Sequence, residues 1–141
     1  MLFNAIKLNL ILEFETCNET SESPILKAMS RILIKDGPGI PVVENVLIAE
    51  SLRDRMRGLL GRTGLDPELG MLLRPCKSIH MWFMRFPIDA AFLDQNLQVL
   101  KMARNLRPWQ LAFAPRATTC VLETAAGVLD RVQQGDTLIL E

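Results

Sequence analysis

Turn signals cut this chain into apolar runs of strand length. "DGPG" separates "RILIK" (31–35) from "PVVENVLIA" (41–49), "TGLDPELG" precedes "MLLRP" (71–75), and Pro75 and Pro87 bracket "SIHMWFMRF". Further on, "DQN" parts 88–93 from 97–103, and "CVLET" (120–124) and "DTLILE" (136–141) complete the set. These runs are rich in β-branched and aromatic residues, and the glycines and prolines between them stop helices from forming across the breaks. The pattern predicts a mainly β fold, a compact sandwich or partly closed barrel of short strands. The runs 88–93 and 97–103 read as a hairpin. In "AAGVLDRVQQGD" there is room for one helical turn, with Gly135 and Asp136 turning the chain into its last strand.

One segment departs from this pattern. Ser51 and Asp54 stand at capping-box spacing, and Leu52, Met56, Leu59 and Leu60 recur on one helical face, which predicts a single amphipathic helix over 52–60. Gly61 is suited to end it in the left-handed conformation, and Asp54 suits the positive end of its dipole. A chain of 141 residues is long enough for one well-filled core. We expect one β-rich domain over 29–141 and a poorly ordered extension over 1–28, because polar turn material gives way to an alternating strand at Met29. Lys7 alone is a thin basic region, and the apolar run 8–12 stops at Glu13, so a signal peptide is not expected.

Sixteen basic residues balance sixteen acidic ones, so no bulk field recruits nucleic acid, and the run with Arg53, Arg55, Arg57 and Arg62 is the best local basic patch. No apolar stretch approaches the ~20 residues a membrane helix needs. The three cysteines, Cys17, Cys76 and Cys120, are widely spaced, which suits reduced thiols and a cytoplasmic location. The expected partner is therefore a small molecule or a protein, with neither nucleic acid nor membrane involved.

The series "RMRGLLGR", "GMLL", "MWFMRFPIDAAFLD", "VLETAAG" and "GDTL", in this order, resembles the domain of unknown function 192 family over residues 46–140. Arg55, Gly58 and Leu59 match its first motif, and Gly70, Met71 and Leu72 its second. Phe83, Met84, Pro87, Asp89 and Phe92 match the third, and Leu122, Glu123 and Gly127 the fourth. Phe83, with Trp82 beside it, stands where the family tends to have Trp, and Ile88 where it tends to have Leu. The resemblance implies a compact β-rich fold and brings no reaction with it.

Side-chain chemistry offers two functional readings. The favoured one is a noncatalytic ligand- or protein-binding module. It would use an end-on cleft between the helix 52–60 and the "PCKSIHMW" strand, lined by Arg57, His80, Trp82 and Arg85. The other is a hydrolase-like enzyme with His80, Asp89 and Glu123 as acid–base groups, since two carboxylates brought face to face could share one substrate. Asp89, set in apolar "PIDAAF", is expected to be buried and ion-paired, with Arg55 foremost and Arg57 and Arg85 as alternatives. Cys76 and His80 are not expected to meet, because on a strand residues four apart stand about 13 Å from each other. No cofactor is expected and no metal site, since His80 is the only histidine. Met71, Met81, Met84 and Met102 read as core packing. Trp82 and Trp109 are expected to cap the core, the alternative being that they stack on sugar rings or planar ligands from the loop "RPWQLAFAPRA".

Overall fold

The computed structural model describes residues 30–50, 59 and 61–141, so the expected extension 1–28 and the expected helix 52–60 lie outside the described residues, Leu59 apart. Nine strands follow one another: β1 (Ser30–Ile34), β2 (Val43–Ala49), β3 (Leu69–Leu73), β4 (Ser78–His80), β5 (Ile88–Leu93), β6 (Val99–Leu106), β7 (Leu111–Phe113), β8 (Cys120–Ala125) and β9 (Leu138–Leu140). Among the described residues there is no helix, and none long and apolar enough to cross a membrane. The fold is mainly β, as the punctuated sequence predicts.

Seven strands make one sheet in the order β6-β5-β8-β3-β2-β1-β9. Its pairs are antiparallel except β2 with β3, whose parallel register runs from Asn45 opposite Leu69 to Ala49 opposite Leu73. The two outer strands approach each other at one end. Gln98 bridges Thr137, the Val99 N–H donates to the Asp136 carbonyl at 2.8 Å, and the Leu138 N–H donates to the Leu97 carbonyl at 2.9 Å. The sheet is therefore a barrel closed over only part of its length. Asp94 sets the hairpin that carries this closure, one carboxylate oxygen accepting from the Asn96 N–H at 2.8 Å and the Gln98 N–H at 2.9 Å.

The curl divides the core in two. Inside it Val43, Val46, Leu72, Ala91, Leu93, Leu122 and Leu138 pack together with Leu129 and Val132 from the β8–β9 connection. On the outer face Met71, Leu73, Ile88, Ala90, Phe92 and Val121 pack beneath a second, two-stranded sheet of β4 and β7, which contributes Ile79 and Ala112. Strand β5 is consequently buried at all six positions, which explains why "IDAAFL" is apolar on both faces apart from Asp89.

Strand boundaries moved where turns intervene. The expected strand across "SIHMWFMRF" is only Ser78–His80, because the chain reverses at once: the Met84 N–H donates back to the Met81 carbonyl at 3.2 Å. The segment "RPWQLAFAPRA", expected as a loop, contains strand β7. The 125–136 connection holds successive tight turns, with Val128 N–H to Ala125 carbonyl at 3.2 Å and Val132 N–H to Leu129 carbonyl at 2.9 Å. Gly135, at φ 97°, and Asp136 make the turn into β9, as expected.

Gly70 is closely packed inside the curl. A Cβ there would lie 3.0 Å from the Val43 side chain and 3.3 Å from that of Leu122. Gly70→Ala should destabilise the fold by about 1–3 kcal/mol through overpacking. Urea unfolding checks this, and an unchanged midpoint would mean that the two neighbours yield freely.

Candidate functional site

The β4–β7 ribbon lies on the outer face of the barrel and has two unlike sides. Opposed residues of an antiparallel pair point the same way. Ile79, opposite Ala112, faces the core, so Ser78 opposite Phe113 and His80 opposite Leu111 face away from it. Four of the six large apolar side chains exposed among the described residues belong to this ribbon and its turns: Phe83 (42% exposed), Trp109 (62%), Leu111 (46%) and Phe113 (67%). An apolar concentration of this kind usually marks an interaction surface.

Two interlocked turns build one end of this surface. Met81 anchors both: its carbonyl accepts from Met84 N–H at 3.2 Å and Trp109 N–H at 2.9 Å, while its own N–H donates to the Gln110 carbonyl at 2.8 Å. The second turn closes with Gln110 N–H on the Arg107 carbonyl at 3.2 Å, backed by the Arg107 N–H on Gln110 Oε1 at 2.7 Å. In each turn the third residue has positive φ, 64° for Phe83 and 70° for Trp109, and Pro108 precedes Trp109. This is type II geometry, whose third position ordinarily goes to glycine. Bulky aromatic residues occupy both positions here. Their rings meet edge to face, with centroids 5.1 Å apart, and alongside them His80 and Trp82 stack at 5.0 Å with 29° between the planes.

Of the residues expected to line a binding site, His80 and Trp82 are thus together. Arg85 is exposed just beyond the first turn, and Arg57 lies outside the described residues, as does most of the helix that would form the other wall of the expected cleft. Trp109 overturns its expectation: it stands out in solvent and does not cap the core. A Pro-Trp pair placed as the middle of a tight turn was the signal for this exposure.

Asp89 is buried, 1% exposed, on the inner side of β5. One carboxylate oxygen accepts from the Asn105 N–H at 2.8 Å, and the other from Gly127 N–H at 2.9 Å and Leu129 N–H at 3.3 Å. These donors are all main-chain groups. Arg55 lies outside the described residues, while Arg85 is exposed and makes no ion pair with it; the ion pair found among the described residues is Arg104 with Asp130, at 3.8 Å. Asp89 is opposite Thr124, whereas Glu123, also buried, is opposite Ala90 and Met71. Side chains alternate along a strand, so the two carboxylates point to opposite faces of the sheet. The barrel wall separates them, and they do not form a pair able to share one substrate.

The thiols are also apart from this surface chemistry. Neither Cys76 nor Cys120 is in a disulfide. The Cys76 thiol donates to the Ser78 carbonyl at 3.3 Å. Burial pushes the Cys120 thiol above its ordinary pKa, with the Thr119 hydroxyl and Arg74 opposing the shift. Among the described residues no three His, Cys, Asp or Glu side chains gather as a metal-ligand set.

Fold and surface together define a small, partly closed β-barrel that carries an aromatic ribbon on its outer wall. Residues 34–140 match the DUF192 family (Uncharacterized ACR), and the chain belongs to it. It is 33% identical over 103 residues to a UPF0127 protein of Thermococcus sibiricus, covering 70% of this chain and 66% of the relative. A UPF0127 protein of Thermococcus kodakarensis is 28% identical over 99 residues, covering 66% of this chain and 62% of the relative. The matched region thus spans slightly under two thirds of those relatives' length. Two crystal structures share the fold. A protein of unknown function from Novosphingobium aromaticivorans DSM 12444 has a TM-score of 0.70 and 23% identity, over 87% of this chain and 94% of that one. A Sinorhizobium meliloti 1021 protein, provisionally called a transcription regulator, has a TM-score of 0.66 and 24% identity, over 79% and 91%.

Two predictions follow from the buried groups. Asp89→Asn places an amide where main-chain N–H groups converge and should cost about 2–3 kcal/mol of stability, read from urea unfolding; a loss below about half a kcal/mol would show that the carboxylate charge is dispensable there. In a Cys17→Ser background, iodoacetamide at about pH 8 should modify Cys76 in the native protein and Cys120 only after unfolding, as mass spectrometry reports. Equal rates at the two thiols would contradict the burial of Cys120.

Proposed function

We propose that this chain is a noncatalytic binding module whose contact surface is the outward face of the β4–β7 ribbon. One observation carries this reading: Phe83 and Trp109 hold backbone conformations that bulky residues avoid, and both display their rings to solvent. Such strain costs on the order of 1–3 kcal/mol per residue and persists where the surrounding structure enforces it, commonly at sites of function. Glycine would make the same turns without steric strain, at the cost of backbone entropy alone. The aromatic groups offer flat apolar area, and Arg85, Arg107 and Gln110 offer polar contacts around it. The wide spacing of the cysteines supports a cytoplasmic setting for this binding.

The hydrolase-like reading, with His80, Asp89 and Glu123 as acid–base groups, is less favoured. It needs the two carboxylates on one side of the sheet, and the β5–β8 register sets them on opposite sides.

Trp109→Gly separates display from folding. Relief of the positive-φ strain should leave stability equal to wild type or higher by about 1 kcal/mol, after glycine's own entropic cost. A thermal-shift screen of sugars, nucleotides and acyl compounds should show ligand responses in wild type that Trp109→Gly and Phe113→Ser lose. If Trp109→Gly lowers stability by more than about 1 kcal/mol, the ring is a structural element and this reading falls.

A further inference from the structure

Charge along the chain is segregated more sharply than its neutral total suggests. Residues 74–88 and 99–119, which include β4, β7 and both turns, contain Arg74, Lys77, Arg85, Lys101, Arg104, Arg107 and Arg116 and not one Asp or Glu. Seven of the sixteen cations thus fall where none of the sixteen acids does. Two of the seven are already engaged with main-chain carbonyls. Arg104 reaches the Leu129 and Val132 carbonyls, and Lys101 donates to the Phe113 carbonyl at 2.8 Å.

The exposed cations bracket the aromatic face. Lys77 immediately precedes Ser78, which is opposite Phe113, and Arg116 follows Phe113 by three residues, so both belong to one end of the ribbon. Arg85 and Arg107 belong to the other end, beside the interlocked turns. Between these ends lie Phe113, Leu111, His80, Trp82, Phe83 and Trp109. Sheet-borne rings between basic ends match an extended polyanion that carries flat rings of its own. Bases would stack on the aromatic side chains while phosphates meet the cations.

Resting on the proposal that this face binds, we infer that its ligand is single-stranded nucleic acid. A duplex buries its base faces and leaves the rings nothing to stack on. An acidic protein would also satisfy the cations, but it lacks the regular repeat of flat ring and phosphate that a single strand offers to rings between basic ends. An anionic membrane would use both features, and it is the competing outcome that the experiment must separate. Neutral overall charge is consistent with this reading, because contact with a few phosphates needs a local cluster and no net field.

The test measures tryptophan fluorescence and anisotropy with labelled oligothymidylate and oligouridylate of about 15 nucleotides, a duplex of equal length, and vesicles of equal parts phosphatidylglycerol and phosphatidylcholine. The expected result is tryptophan quenching by single strands, affinity that falls between about 50 and 200 mM salt, and weaker duplex binding. Trp109→Gly and Phe113→Ser should each weaken single-strand binding about ten-fold. Lys77→Gln with Arg116→Gln should flatten the logarithmic salt dependence by about 1.4. The two oligomers separate DNA from RNA as the source, and tight binding of either supports the inference. Failure of both, duplex binding as tight as single-strand binding, or indifference to Trp109→Gly overturns it. Binding to vesicles alone that Trp109→Gly abolishes overturns this inference but leaves the binding-module reading standing. If no compound, oligomer or vesicle responds to Trp109→Gly, both fall.

Discussion

The carboxylate of Asp89 ties strand β5 to the irregular end of β6 and to the connection that leaves β8. Its oxygens take N–H groups from Asn105, at the far end of β6, and from Gly127 and Leu129, in the connection that leads from β8 to β9. Asn105 and Gly127 both have positive φ, 47° and 91°, so the chain bends sharply at two of the three donors. A buried charge with no such donors would be severely destabilising; here the charge strengthens each main-chain hydrogen bond and makes the bends worthwhile. Leu129, positioned in this way, packs with Val132 into the space inside the curl. Asp89 and Gly127 are both positions of the family motifs, and their contact gives those motifs a structural meaning.

Once that end is fixed, β5 and β8 lie between two apolar layers, and everything on the outer wall rides on them. The ribbon is held by Ile79 and Ala112 below and by the Met81 hydrogen bonds at its turns. A two-stranded ribbon alone is marginal in water, so its outward face can be aromatic only because its inward face is anchored. The division of labour is clear at residue level. Met81 and Met84 are buried under the turns, while Phe83, between them, is exposed.

The sequence revealed the strand-rich class through turn signals, because glycine and proline act locally and need no knowledge of the partner strand. It also revealed that Asp89 is buried, from its apolar neighbours. Two things were hidden. Among the described residues the donors to Asp89 are main-chain groups of Asn105, Gly127 and Leu129, and a backbone N–H carries no residue signature. The opposition of Asp89 and Glu123 depends on the register between β5 and β8, where a shift of one residue would have placed them on the same side. Strand β7 was missed because a three-residue run with Leu111 and Phe113 outward and only Ala112 inward resembles a loop.

Trp109 shows most plainly how stability and display pull apart. In "RPWQ" the proline presets the second position of the turn and the third then requires positive φ. Local preference calls for glycine there, and burial does not reward the tryptophan, which is mostly in water. Phe83 repeats the same conflict in "MWFM", in a turn that shares the Met81 carbonyl. Two independent coincidences at adjoining turns would be needed to explain both residues as accidents of drift. A binding face that needs rings held above the sheet, as proposed, would account for both.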